Sequence, residues 1–269
     1  MVQEMIILNP KIPVVLLCGG KGTRIKEMTG TIPKPMVEIG DKPILWHIMK
    51  LYSSYGYNRF VTCLGYKGHK IKEYFLYYDL LNCDLTTELG KKSKYMYHDN
   101  HSEENWAITF ANTGENSMTG ARVKKIEKYI DNDVFMLTYG DGLCDIDINK
   151  LVEFHKSHGK IGTVTGVHPP SRFGELITDN NKVLNFNEKP QTSEGRINGG
   201  FFVLNRDFFN YLSADESCVL EKAPLEKLAE DGQLMMYAHD GFWQCMDTLR
   251  DMELLEKLWN QENCPWKKW

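Results

Sequence analysis

The run Val14-Val15-Leu16-Leu17-Cys18 is apolar at every position and passes directly into Gly19-Gly20-Lys21-Gly22. A strand with no polar face must be covered on both sides, which places it inside a parallel sheet between two helix layers. The chain beyond Gly22 keeps to that plan. Residues 44–55 carry apolar side chains at helical spacing and stop at Gly56, a residue suited to a C-cap. Residues 59–64 read as a second strand and 70–78 as a second helix. A helix over 120–130 precedes a strand over 134–138, and a helix over 148–158 precedes a strand over 162–167. Strands alternating with helices predict an α/β fold, a Rossmann-like, mostly parallel sheet flanked by helices. From Glu175 the pattern changes to short strands at 175–177, 183–187 and 200–204, a smaller β subregion. A last helix over 248–260 leads into Pro265 and two tryptophans.

At 42% hydrophobic, 269 residues are enough for one large domain with a substantial core. A net charge of -4 argues against a nucleic-acid binder, which needs a basic face to release counterions. The apolar stretch at 13–17 is too short to span a bilayer, and residues 1–11 lack the pattern of a secretory signal. No membrane association is therefore expected. The seven cysteines are scattered, odd in number and contain no C-x-x-C pair. They read as small core residues of a reduced, cytoplasmic protein and not as a disulfide or zinc framework.

Three glycines within Gly19-Gly20-Lys21-Gly22-Thr23-Arg24 let the backbone adopt positive φ and offer N–H groups to phosphate oxygens. Two common phosphate loops fail here. A P-loop needs Ser or Thr directly after Gly-Lys, but Gly22 follows Lys21. The dinucleotide fingerprint needs glycine three places after Gly22, where Ile25 stands. Further on, Pro33 and Pro35 flank Lys34 and bias it toward an extended backbone, leaving little freedom to lose on ligand binding. Arg24 as a planar fork and Lys34 as a point charge suit a polyphosphate.

The run Gly19-Gly20-Lys21-Gly22-Thr23-Arg24, then Thr29, then Pro33-Lys34-Pro35-Met36, resembles the signature of the sugar nucleotidyltransferases. Glu27 stands where many members carry proline. Three further segments, Pro43-Ile44-Leu45-Trp46-His47-Ile48-Met49-Lys50, Gly65-Tyr66-Lys67-Gly68 and Thr113-Gly114-Glu115-Asn116-Ser117-Met118-Thr119-Gly120, resemble the branch that takes CTP and glucose 1-phosphate. That branch makes CDP-glucose for deoxysugar and polysaccharide biosynthesis. The likeness covers residues 13–269 as a single domain, with a sugar-binding part over 170–247, and leaves 1–12 as an extension.

The resemblance implies residue roles. Leu17, Cys18, Gly19, Gly20, Lys21, Gly22, Thr23, Arg24, Lys34, Ser117, Arg122 and Gly140 would meet the nucleotide, with Arg24 and Lys34 as the catalytic cations. Glu188, Lys189, Asn198 and Gly199 would meet the sugar phosphate. Asp141 and Asp247 would hold Mg2+. Asn112 stands where relatives of that branch carry aspartate.

Independently of the resemblance, Asp141 lies between glycines just past an apolar strand, where ligands bind in open α/β sheets. Asp247 precedes the last helix, where a role as its N-cap is the rival to the metal-ligand reading. Asp145-Ile146-Asp147 imitates the D-x-D of metal-dependent glycosyltransferases, but Asp147 opens the helix at 148 and reads as its cap. His155 and His158 read as packing residues. The implied reaction is attack by a sugar 1-phosphate oxygen on the α-phosphorus of CTP, releasing pyrophosphate without a general base. Two rival readings are a silent regulatory subunit and a D-x-D glycosyltransferase. The family also implies a homo-oligomer, with the tail Trp266-Lys267-Lys268-Trp269 as a candidate contact surface.

Overall fold

The computed structural model describes residues 12–22, 30–90, 94–98, 105–169, 175–179, 182–187 and 195–269. Seven strands build the central sheet: β1 (Val14–Leu17), β2 (Arg59–Leu64), β3 (Ala107–Asn112), β4 (Val134–Tyr139), β5 (Gly162–Val167), β6 (Ile197–Asn205) and β7 (Leu234–His239). They lie in the order β7-β5-β6-β4-β1-β2-β3. Every neighbouring pair is parallel except those of β6, which runs antiparallel to β4 and β5. The sheet is mostly parallel, as the alternation predicts. The reversal falls where the sequence pattern changes. Between β5 and β6 the chain forms the antiparallel pair Glu175–Asp179 and Lys182–Asn187, and an antiparallel neighbour needs no helical crossover.

Residue alternation along the strands sorts the core into two layers. Val14, Leu16, Phe60, Met136 and Phe201 join one layer; Val15, Leu17, Val61, Phe135 and Phe202 join the other. Helices α1 (Ile44–Ser54), α2 (Gly68–Leu76), α3 (Tyr78–Asn82), α4 (Thr119–Lys125), α5 (Ile148–His158), α6 (Ala223–Glu230) and α7 (Leu249–Trp259) lie along the chain between and after the strands. The first layer takes α1, α5 and α7 through Leu45, Leu151 and Leu255. The second takes α4 and α6 through Val123 and Leu228. Both faces of β1 are thus covered, which is why it can be apolar throughout.

The helix ends follow their sequence signals. Gly56 takes φ +84 behind α1. Asp147 caps α5 by accepting from Lys150 N at 3.1 Å, and Gly159 closes it at φ +66. The helix expected over 120–130 is shorter: α4 ends at Lys125 and a single 3-10 turn follows at Glu127–Tyr129. The bond from Ile126 N to Val123 O tightens the chain there and carries Ile126 and Ile130 into the core. His155 is buried against Thr163 and Asn205, and His158 contacts Thr163, so both are packing residues as expected.

The tail contradicts its sequence reading. Trp266 is fully buried and stacks on Phe242 and Trp259 at centroid distances of 5.6 and 6.3 Å. Trp269 packs edge-on against Trp46 at 5.8 Å. His47 joins the cluster, its Nε2 facing Ile39 O at 2.8 Å while Trp266 Nε1 approaches its Nδ1 at 3.5 Å. Trp266 is thus spent on the core, and Trp269, half-buried, packs on Trp46 of α1.

Candidate active site

Asp141 and Asp247 are far apart in sequence, and a two-stranded pair brings them together. Gly142–Cys144 runs antiparallel to Trp243–Cys245, with Gly142 opposite Cys245. One further bond, Met246 N to Asp141 O at 2.8 Å, fastens the two loops beyond the pair. Asp247 is not a helix cap. Thr248 caps α7 in a reciprocal box with Asp251. Asp251 also accepts from Asp247 N at 3.0 Å, holding the backbone while the Asp247 side chain turns into the cleft.

Lys34 completes the cluster. Its Nζ lies 2.5 Å from Asp141 Oδ2 and 2.7 Å from Asp247 Oδ1, with its side chain only 11% exposed. The expected extended backbone is not what holds it. Lys34–Met36 is a 3-10 turn, closed by Met36 N to Pro33 O at 2.8 Å. Burial of Pro35 and Met36 offsets the usual reluctance of a residue before proline to turn. Burial alone would lower the Lys34 pKa, but the two carboxylates outweigh it and raise it, so the ammonium stays charged.

The fit to a divalent metal rests on this donor set. Two aspartates from different loops converge on one cationic atom, and both offer hard carboxylate oxygens, the ligand type magnesium takes. The nearby Cys245 thiol reaches Asp247 Oδ2 at 3.7 Å. Burial and the two aspartates push it up to about 12, so it remains a protonated thiol and adds no thiolate to the set.

The cleft in front of this cluster has a volume of about 250 Å³. Leu17, Cys18, Gly20 and Gly22 line it from the first strand and its loop; Pro35 and Gly140 line it beside the charged groups. Gly22 takes φ +59 there, which only glycine adopts freely. Thr23 and Arg24 lie outside the described residues, as do Glu188 and Lys189.

Arg122 and Ser117 sit behind the loop. The Arg122 guanidinium donates to the carbonyls of Gly19, Leu64, Gly114 and Glu115 and to Thr113 Oγ1, at 2.7 to 3.2 Å. A Cβ at Gly19 would stand 2.1 Å from it, so the glycine is needed for that approach. Ser117 Oγ donates to Thr113 O and accepts from Lys125 Nζ, both at 2.7 Å. Their polar ends are taken up within the protein, where they hold the backbone of Gly19 and of the segment from Thr113 to Glu115. Lys21 is exposed and approaches Asn116 Oδ1 at 3.5 Å. Asn112 turns back on its own chain, accepting from Gly114 N at 3.2 Å.

On the other side of Asp141, Asn198 and Gly199 open β6. Gly199 O accepts from Trp243 Nε1 at 2.8 Å. Asn198 Nδ2 donates to Tyr139 Oη at 3.2 Å, and Tyr139 donates in turn to Glu221 Oε1 at 2.5 Å. Sequence reasoning passed over Tyr139 and Glu221; the one signal was a hydroxyl-bearing ring closing the strand just before Gly140-Asp141.

The D-x-D reading dissolves, since Asp147 is a cap and Asp145 Oδ1 pairs with His239 Nε2 at 2.9 Å. Cys144 lies close enough to that pair for the three to resemble a metal centre. Burial pushes the Cys144 thiol well up, so the pair serves to tie β7 to the Gly142–Cys144 strand.

A parallel sheet with a glycine loop and an acidic, lysine-bridged cleft at the carboxyl ends of its strands defines an enzyme that handles nucleotides and phosphates. Comparison with known proteins agrees: the sequence profile of the nucleotidyl transferase family matches residues 13–252, and the chain belongs to that family. It is 48% identical to the glucose-1-phosphate cytidylyltransferase of Salmonella typhi over 256 residues, 95% of this chain and 98% of the relative. It is 46% identical to a probable glucose-1-phosphate cytidylyltransferase of Bacillus subtilis, over 95% of this chain and 99% of that one. Among solved structures, a putative glucose-1-phosphate thymidylyltransferase from Bacillus anthracis shares the fold at a TM-score of 0.68. That likeness is at 17% identity and covers 92% of this chain and 95% of that one.

Proposed function

We propose that this chain is a glucose-1-phosphate cytidylyltransferase, which joins CTP to α-D-glucose 1-phosphate and releases CDP-glucose and pyrophosphate. The observation that carries the reading is the meeting of Lys34, Asp141 and Asp247 beside the glycine loop, in a chain nearly half identical to enzymes of that name. The attacking group is a phosphate monoester oxygen, already anionic, so no side chain need remove a proton. What the protein must supply is alignment and positive charge, because two anionic substrates repel each other.

The glycine loop gives backbone N–H groups to the triphosphate at a point where side chains would crowd it. Lys34 brings a compact positive charge from a turn that cannot easily move away. Arg24 supplies the second cation, while Lys189 and Glu188 hold the acceptor's phosphate and hydroxyls together with Asn198 and Gly199. Asp141 and Asp247 hold Mg2+, which when bound offsets negative charge on the phosphate oxygens. The enzyme acts in the cytoplasm as a homo-oligomer. Among the described residues no helix is long and apolar enough to cross a membrane.

A panel of CTP, UTP, dTTP and GTP with glucose 1-phosphate, read as pyrophosphate release, tests the reading. CTP should give the highest kcat/KM; a higher value with any other triphosphate would overturn the assignment of the base.

A further inference from the structure

At the carboxyl end of β4, a chain of hydrogen bonds runs from the strand opposite to the segment after Ser117. Thr119 Oγ1 accepts from Leu220 N at 3.0 Å and donates to Glu221 Oε2 at 2.7 Å. The other carboxylate oxygen accepts from Tyr139 Oη at 2.5 Å, and that phenol accepts from Asn198 Nδ2 at 3.2 Å. Asn198 Oδ1 accepts from Gly200 N at 2.8 Å. Each group has its role fixed by its neighbour. A carboxylate can only accept, so the phenol proton goes to Glu221, and the phenol oxygen is left to receive the Asn198 amide. That settles which way round the amide lies.

The ring is fixed as firmly as the hydroxyl. Gly200 takes φ +81, and a Cβ there would stand 2.4 Å from Tyr139 Cδ2, so the ring lies directly on the β6 backbone. Phe202 meets it edge-on at 6.3 Å. One residue, Gly140, separates Tyr139 from Asp141.

We propose that Tyr139 is a positioning residue for the acceptor sugar: its hydroxyl, set between Glu221 and Asn198, anchors the Asn198 amide nitrogen while Gly200 N anchors its oxygen, so the side chain is held at the β6 entrance. The inference rests on the proposed reaction and on the β6 entrance as the sugar side of the cleft. It adds a residue pair, Tyr139 and Glu221, that selects the acceptor without touching the triphosphate. Without the phenol hydroxyl the amide keeps only its bond from Gly200 N, so its nitrogen is no longer held and contact strength with the sugar falls while nucleotide binding continues unchanged.

Steady-state kinetics of the full-length chain with Mg2+, CTP and glucose 1-phosphate test this with Tyr139→Phe. The KM for glucose 1-phosphate should rise about tenfold, the scale of one lost hydrogen bond, with the KM for CTP within about twofold and the thermal midpoint unchanged. Glu221→Gln, which still offers the phenol an acceptor, should retain more acceptor affinity than Glu221→Ala. If the two KM values move together, or neither moves, or the only change is a lower thermal midpoint, the pair is merely structural and the proposal is overturned. A wild-type chain that releases no pyrophosphate from these two substrates would instead defeat the proposed reaction. The two failures are therefore distinguishable.

Discussion

Asp141→Asn should lower turnover by about 10³-fold, close to 4 kcal/mol of transition-state stabilisation, while leaving the fold intact. The exchange keeps the side chain's shape and removes its charge. Lys34 Nζ lies 2.5 Å from Asp141 Oδ2, so the amide would still face the lysine but could no longer offer a divalent metal an anionic ligand. Asp141 is partly exposed, its side chain 30% accessible, and so the lost ion pair should cost little stability. Lys34→Ala should be comparably severe for a different reason. It deletes the fixed positive charge at the cleft and leaves two carboxylates facing each other without it. Pyrophosphate release from CTP and glucose 1-phosphate, with circular dichroism as the control for folding, checks both. Turnover within about tenfold of wild type in either variant would show that the chemistry lies elsewhere.

Trp266→Ala should destabilise the protein by about 3–5 kcal/mol, the usual cost of removing a large buried aromatic side chain. In a chain of this size that is a fall in thermal midpoint of about 10 °C. The ring is fully buried between Phe242 and Trp259, beside His47. The same cluster sets an acid limit. Burial lowers the His47 pKa to about 4, against about 6.5 in an unfolded chain. The unfolded state therefore takes up a proton first as pH falls. The contribution of His47 is complete above about pH 6.5 and is lost progressively down to about pH 4, for a total of about 3 kcal/mol. Urea titrations at pH 7.5 and pH 5 on the wild type and the variant would read both effects. A loss below about 1 kcal/mol for Trp266→Ala would mean that the tail does not secure α1 and α7.

Much of the fold was legible in the residues. The boundaries of β2, α5 and β5 follow directly from apolar spacing, and Asp147 declares itself by its place before a helical run. Such features are local, so sequence carries them. The reversal of β6 could not be read, because strand direction depends on pairing between segments far apart. Spacing likewise says nothing of the meeting of Asp141 with Asp247, which only the resemblance implied and which the pairing of Gly142–Cys144 with Trp243–Cys245 produces. The tail was misread for the same reason. A run of tryptophans and lysines looks like a surface patch until the aromatic faces of α1 and α7 are known. Arg122, which the resemblance places at the nucleotide, donates to five protein acceptors around Gly19, Leu64 and the segment from Thr113 to Glu115, a set of partners that no local pattern announces.

In the proposed reaction one cleft gathers the cations and the two phosphorylated substrates. A crystal structure of the protein soaked with CTP and Mn2+, read by the metal's anomalous signal, tests it most directly. The metal should lie between Asp141 and Asp247, with the triphosphate against Gly22 and Lys34. A metal peak at Cys144, Asp145 and His239 instead, or a nucleotide bound away from the glycine loop, would contradict it.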